Sequence, residues 1–185
     1  MFLGTSLTAG YGLTPPQAYP AVVERLAAEQ GTAIRAVNAG LSGETSAGAL
    51  RRIDWVLRTP ADIVVIETGA NDGLRALEIE ATRANIREII ARIRATQPTA
   101  RIILVQMEAP PNFGADYTSR FRSMYGEIAA ESGVTLIPFL LDGVAAVPDL
   151  NLQDGIHPNA AGAERVATNV WRTLGPVVER LDRGR

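Results

Sequence analysis

Asp154 and His157 stand three positions apart in "DGIHPN", and His157 is the only histidine of the 185-residue chain. A carboxylate at that spacing can bond one imidazole nitrogen and leave the other free to take a proton. That is the orienting-and-base half of a hydrolytic triad. Histidine's ordinary pKa of about 6.5 lets it be neutral, and so basic, at physiological pH. The pair could equally be a capping Asp and a surface His ahead of a helix. A base needs a nucleophile. The chain has no Cys and no Lys, which excludes thiolate and Schiff-base chemistry, thiolate zinc sites, disulfides and the lysine of a phosphate-binding P-loop. Ser and Thr remain. Ser6 lies in "GTSLTAG", a small-residue turn with three hydroxyls that follows the apolar start "MFLG". Such a turn can seat a nucleophile, cradle a phosphate, or simply be a helix cap or ST-turn.

Acyl chemistry also needs donors for a developing oxyanion. In "GLSGET", Gly43 can bring its own N–H to a ligand with no Cβ in the way; alone, it reads equally as a turn glycine. In "TGAND", Asn71 can aim a carboxamide N–H₂ into the same crevice, or close an Asx-turn with Asp72 bonding the same loop.

The elements that must position these residues alternate. Strands are expected at "MFLG", "TAIRAVNAG", "DIVVIETG", "RIILVQM" and "VTLIPF". Helices are expected at "AYPAVVERLAAEQG", "SAGALRRIDWVLRT", "IEATRANIREIIARIRATQ", "YTSRFRSMYGEIAAESG" and from Ala160 onward, where Pro176 should kink or restart the last one. The unbroken apolar run Ile63 to Ile66 suits a strand buried on both faces. Alternation of this kind predicts a single domain over 1–185, of α/β class: a doubly wound, three-layer α/β/α arrangement. By analogy, its five parallel strands take the flavodoxin-like order 2-1-3-4-5. Ligands in such sheets bind beyond the carboxyl ends of the strands, where Ser6, Gly43, Asn71, Asp154 and His157 all fall.

The net charge of −2 gives no footprint for nucleic acid, and no apolar run reaches the length of a membrane-spanning helix. The chain starts inside its first strand, so it reads as cytoplasmic as it stands and as periplasmic or secreted if an export signal was trimmed.

Taken together, the segments resemble the GDSL, or SGNH, hydrolase family, whose named residues are Ser, Gly, Asn and His in chain order. "GTSLTAGYGL" matches the first block with Ser6 at the nucleophile position, "SGET" the second with Gly43, "GAND" the third with Asn71, and "DGIHP" the fifth with Asp154 and His157. The resemblance runs from the first strand into the last helix and is strongest to bacterial arylesterases, thioesterases and lysophospholipases, partly through "GYGL" and "APPNFGADY". There is one departure: the family's first block has Asp where this chain has Thr5. Thr can replace some of the hydrogen bonding but none of the charge.

The resemblance implies a serine esterase that needs no metal or cofactor, acts on a small carboxylic ester or thioester, and holds the oxyanion with the Ser6 and Gly43 N–H groups and the Asn71 side chain. Leu74, Pro110, Pro111 and Phe113 are candidate walls for an acyl or aryl group, or else pack their own loops. Other expectations stay open at this point. One is a carbohydrate acetylesterase of the same family. A second is a flavodoxin-like module holding a flavin phosphate on "GTSLTAG". A third is a domain that binds a ligand without turning it over, with Thr5 as the mark of lost function.

Overall fold

The computed structural model describes residues 1–182. Five strands, β1 (Phe2–Gly4), β2 (Asn38–Gly40), β3 (Ile63–Ile66), β4 (Arg101–Val105) and β5 (Thr135–Ile137), form one parallel sheet in the order β2-β1-β3-β4-β5. Seven helices surround it among the described residues: α1 (Ser6–Ala9), α2 (Tyr19–Glu29), α3 (Ser46–Val56), α4 (Ala70–Leu74), α5 (Ile79–Thr96), α6 (Ala115–Ser132) and α7 (Ala160–Asp182). α2 packs on α7, while α3, α5 and α6 pack as a row. Strands covered on both faces must be apolar on both; Leu3, Val64, Val65, Ile66, Ile103 and Leu104 are all buried. The helical spacing of Ile86, Ile89, Ile90 and Ile93 turns one face of α5 into the core.

Several elements differ from the sequence expectation, among them the short helix α1 where a turn is expected. The second strand is only Asn38–Gly40, because β1 offers it three partners: Phe2 against Asn38, Leu3 against Ala39 and Gly4 against Gly40. Upstream, the Ala36 N–H turns to the Glu24 carboxylate instead (2.6 Å). The last helix does not restart at Pro176; α7 runs through it, with Val177 and Val178 buried beyond the proline. The loop after β3 contains the short helix α4. Gly69 caps it at φ +94°, and a side chain there would collide with the Tyr125 hydroxyl.

That short helix is braced by a buried acid. Asp72 accepts from the Ser46 N–H (2.8 Å), the Ser46 hydroxyl (2.5 Å) and the Thr82 hydroxyl (3.2 Å). It therefore ties α4 to the start of α3 and to α5, and does not close an Asx-turn on its own loop. Removing a buried acceptor leaves its donors unsatisfied. Asp72→Ala should lower unfolding stability by roughly 2–3 kcal/mol, read as a lower midpoint in urea; an unchanged midpoint would refute the bracing role.

Candidate active site

Chain direction places the ends of β1, β2 and β3 on one edge of the sheet, and the loop before α7 arrives at the same edge. Ser6 is the first residue of α1, directly after the extended cap residue Thr5. Its Oγ lies 2.9 Å from His157 Nε2, although the two residues are 151 positions apart. His157 Nδ1 is 2.7 Å from Asp154 Oδ2. Asp154 Oδ1 accepts the backbone N–H groups of Ile156 (2.9 Å) and His157 (3.0 Å), so the acid is fixed by the same turn that carries the imidazole. The His157 N–H, then its ring, then the Ile156 N–H hold the Asp154 carboxyl down at about 2. The acid thus stays anionic below its ordinary range, and the stability this gives the turn is present above pH 3.8 and is lost as pH falls from there through about 2.

The loop after β2 is held from several sides. Gly43 has φ +78°, and nothing lies within 4 Å of where its Cβ would be. Backbone conformation, not crowding, requires glycine there. Arg75 donates to the Gly43 carbonyl (3.1 Å). Glu44 forms a two-armed ion pair with Arg52 (2.7 and 2.6 Å), and Arg52 also reaches the Ala39 carbonyl (2.8 Å). Asn71 crosses from α4 to donate one carboxamide hydrogen to the Glu44 carbonyl (2.9 Å). That bond fixes the amide plane and leaves the second hydrogen for another acceptor.

A cleft of about 350 Å³ brings Ser6, Gly43, Asn71 and His157 to one surface, walled by Leu74, Met107, Phe139, Leu141 and Ile156. Of the walls expected from the sequence, Leu74 is in this lining. Pro110, Pro111 and Phe113 are not: Pro111–Phe113 form a 3₁₀ turn, and the Phe113 ring packs edge-on against Tyr117 (6.0 Å between centroids). Sequence reasoning missed Phe139 and Leu141, which follow β5 in "PFLLDG", and Ile156, hidden inside the "DGIHP" block itself. It also missed Tyr11, whose ring lies 4.5 Å from the imidazole with the planes tilted by 37°.

The least expected residue is Glu67. It ends the apolar run of β3, is wholly buried, and lies under the Ser6 turn. Its carboxylate accepts from the Thr5 N–H (2.8 Å), the Thr5 hydroxyl (3.0 Å to each oxygen) and the Thr8 hydroxyl (2.9 Å). Burial pushes its pKa up to about 7, against the pull of these donors. The only available signal was a charged residue closing a strand that is otherwise apolar.

Comparison with known proteins agrees with this architecture. Over 180 residues the chain is 38% identical to esterase TesA of Pseudomonas aeruginosa, covering 96% of this chain and 88% of that protein. It is 34% identical to thioesterase 1/protease 1/lysophospholipase L1 of Escherichia coli K12, covering 96% and 84%. Among solved structures, the psychrotrophic esterase EstA from Pseudoalteromonas, inhibited by monoethylphosphonate, superposes with a TM-score of 0.89 at 30% identity, covering 96% of this chain and 97% of that one. The model of the GDSL-like lipase/acylhydrolase family matches residues 2–165, and the chain belongs to that family.

Proposed function

We propose that the protein hydrolyses carboxylic esters or thioesters through a Ser6–His157–Asp154 triad and an acyl-enzyme. The observation that carries this reading is the unbroken chain Ser6 Oγ–His157 Nε2 (2.9 Å) and His157 Nδ1–Asp154 Oδ2 (2.7 Å). With Asp154 anionic, Nδ1 holds the proton and Nε2 is left as the acceptor facing the Ser6 hydroxyl. As Oγ bonds to the substrate carbonyl carbon, His157 takes the hydroxyl proton. It then gives that proton to the departing alcohol or thiol as the carbon–oxygen or carbon–sulfur bond breaks. A water repeats the sequence on the acyl-enzyme and frees the acid.

The oxyanion falls to three donors. The Ser6 N–H is at the first turn of α1, where helical N–H groups have no intrahelical acceptor. The Gly43 N–H and the second carboxamide hydrogen of Asn71 complete the set. Leu74, Met107, Phe139, Leu141 and Ile156 offer the acyl or aryl group an apolar wall. The open cleft suits short to medium chains. Relatives named esterase, arylesterase and thioesterase support the same substrate class. A flavin-binding reading leaves the three-residue relay without a task.

A fluorophosphonate probe followed by peptide mapping tests the assignment. Labelling is expected at Ser6 and should vanish in His157→Ala; a folded protein that takes no label would overturn the reading. Asn71→Ala should stay folded by circular dichroism and lose roughly 10²–10³ in kcat on p-nitrophenyl butyrate, the usual cost of one oxyanion donor. Full activity in that variant would remove Asn71 from the site.

A further inference from the structure

Glu67 is a buried carboxylate with no cationic partner among the described residues. Ion pairs elsewhere use Arg52, Arg83, Arg87, Arg92, Arg120 and Arg122, none of them with Glu67. A buried unpaired acid is costly, so what surrounds it decides its role. Every polar group given to it is a donor: the Thr5 N–H and hydroxyl and the Thr8 hydroxyl, with the Thr8 N–H adding to the pull. The Thr8 hydroxyl has one hydrogen. When it donates to Glu67, the Tyr19 hydroxyl, 2.9 Å away, must donate to Thr8. The relay therefore runs from Tyr19 through Thr8 to Oε2 of Glu67, the same oxygen that accepts the Thr5 N–H.

These donors flank Ser6 on both sides. Thr5 is its cap residue and Thr8 is two positions on in α1. Gly4 leaves the room: a side chain there would strike the Thr8 hydroxyl and the Glu67 carboxylate. Among the described residues, the other titratable groups that interact with Glu67 are Tyr19 from α2, raised by burial and by Glu67's charge, and Tyr125 from α6, raised by burial, then by the charge of Asp72 and then by that of Glu67. Arg52 points toward the neighbouring Gly4 carbonyl (3.4 Å) but is engaged by Glu44.

We propose that Glu67 is a positioning residue: as an anion it clamps Thr5 and Thr8, and so fixes where the Ser6 hydroxyl and N–H stand, making hydrolysis depend on its ionisation. The inference rests on the proposed role of Ser6. A proton on Oε1 would face the Thr5 hydroxyl (3.0 Å), which could then no longer donate to that oxygen, so protonation reverses the Thr5 link and loosens the clamp at the residue that caps α1. With the pKa near 7, this happens within the working range of a histidine base. The position of Thr5 follows from the same clamp. An Asp in its place, as in the family's first block, would put a second carboxyl within hydrogen-bonding distance of Glu67, and the two would have to share a proton. Thr5 supplies a hydroxyl donor to a lone anion instead.

The test is p-nitrophenyl butyrate hydrolysis over roughly pH 5 to 9 by wild type, Glu67→Gln, Thr5→Val and Thr5→Ser, each checked by circular dichroism. The expected result is a kcat about 10- to 100-fold lower in Glu67→Gln, with KM nearly unchanged. The acid limb of kcat/KM should fall with two protons in wild type and with one in Glu67→Gln. Thr5→Ser should keep the wild-type rate and Thr5→Val should lose it, which carries the test if Glu67→Gln fails to fold. A buried carboxyl band in the infrared should grow in wild type as pH falls through about 7 and be missing from Glu67→Gln. Wild-type hydrolysis with an unaltered rate and acid limb in Glu67→Gln, or a Thr5→Val as active as Thr5→Ser, overturns the clamp and leaves the triad standing. A wild type that neither hydrolyses nor labels at Ser6 overturns the functional reading itself.

Discussion

A hydrogen bond of 2.9 Å between residues 151 positions apart is the contact on which the site depends. One such bond contributes only about 1 kcal/mol net, so it cannot draw the chain ends together. The sheet does that. β1 lies between β2 and β3, and parallel pairing sends Ser6, the β2 loop and the β3 loop off the same edge. α7 then packs back on α2, with Val166, Val170 and Leu174 buried in the same core as Val22 and Val23. That packing brings the turn before α7 over the end of β1. Asn151 and Pro158 bridge across the turn, and the Leu152 N–H bonds the His157 carbonyl (2.7 Å). The imidazole therefore reaches Ser6 from a rigid frame, and its bond to Ser6 follows from the fold.

Each loop at this edge is steadied by an acid, and the acids are held differently. Glu44 has a full cationic partner in Arg52. Asp72 relies on one N–H and two hydroxyls, and Asp154 on two N–H groups and the ring it orients. Glu67 relies on neutral donors in complete burial. The physical consequence differs in sign. Lowering the Asp154 pKa favours its charged form in the fold. Raising that of Glu67 means that, between its ordinary 4.5 and about 7, the folded chain holds a proton that the unfolded chain has lost. Across that window Glu67 draws stability down as pH rises.

What could be read from residue order was what depends on short spacing. The Ile ladder of α5, the double-faced apolar run of β3 and the Asp154–His157 turn are all local patterns; the strand order was reached by analogy, and Ser6, Gly43 and Asn71 through the short loops that match the family's blocks. Strand length was not local: β2 is as long as its neighbour allows. The cleft walls were not local either. The "APPNF" stretch is apolar, but composition does not say which way it faces, and Phe113 turns to Tyr117. Phe139 and Leu141 enter the cleft only because β5 ends at the same edge. Glu67 meets Thr5 across 62 positions, so nothing near it in the chain marks it as more than the end of a strand.

Thr5 invites a reading as decay, since it removes an acid from beside Ser6. The surroundings argue otherwise. Decay of a hydrolase would relax the demand for a charge under the Ser6 turn, and a buried carboxylate without a cation is a feature the fold alone would be better without. Yet Glu67 is kept wholly buried, both of its oxygens are engaged, and the side chain at position 5 is one that donates to it. Thr5 is also buried and serves as the cap of α1, where its oxygen accepts from the Leu7 N–H (3.4 Å). One hydroxyl thus links the carboxylate below to the helix that begins at Ser6. An apolar replacement of the same shape could fill that space and would break the link, which makes the Thr5 hydroxyl, more than the lost charge, the feature that ties this chain's departure from its family to the geometry of the serine.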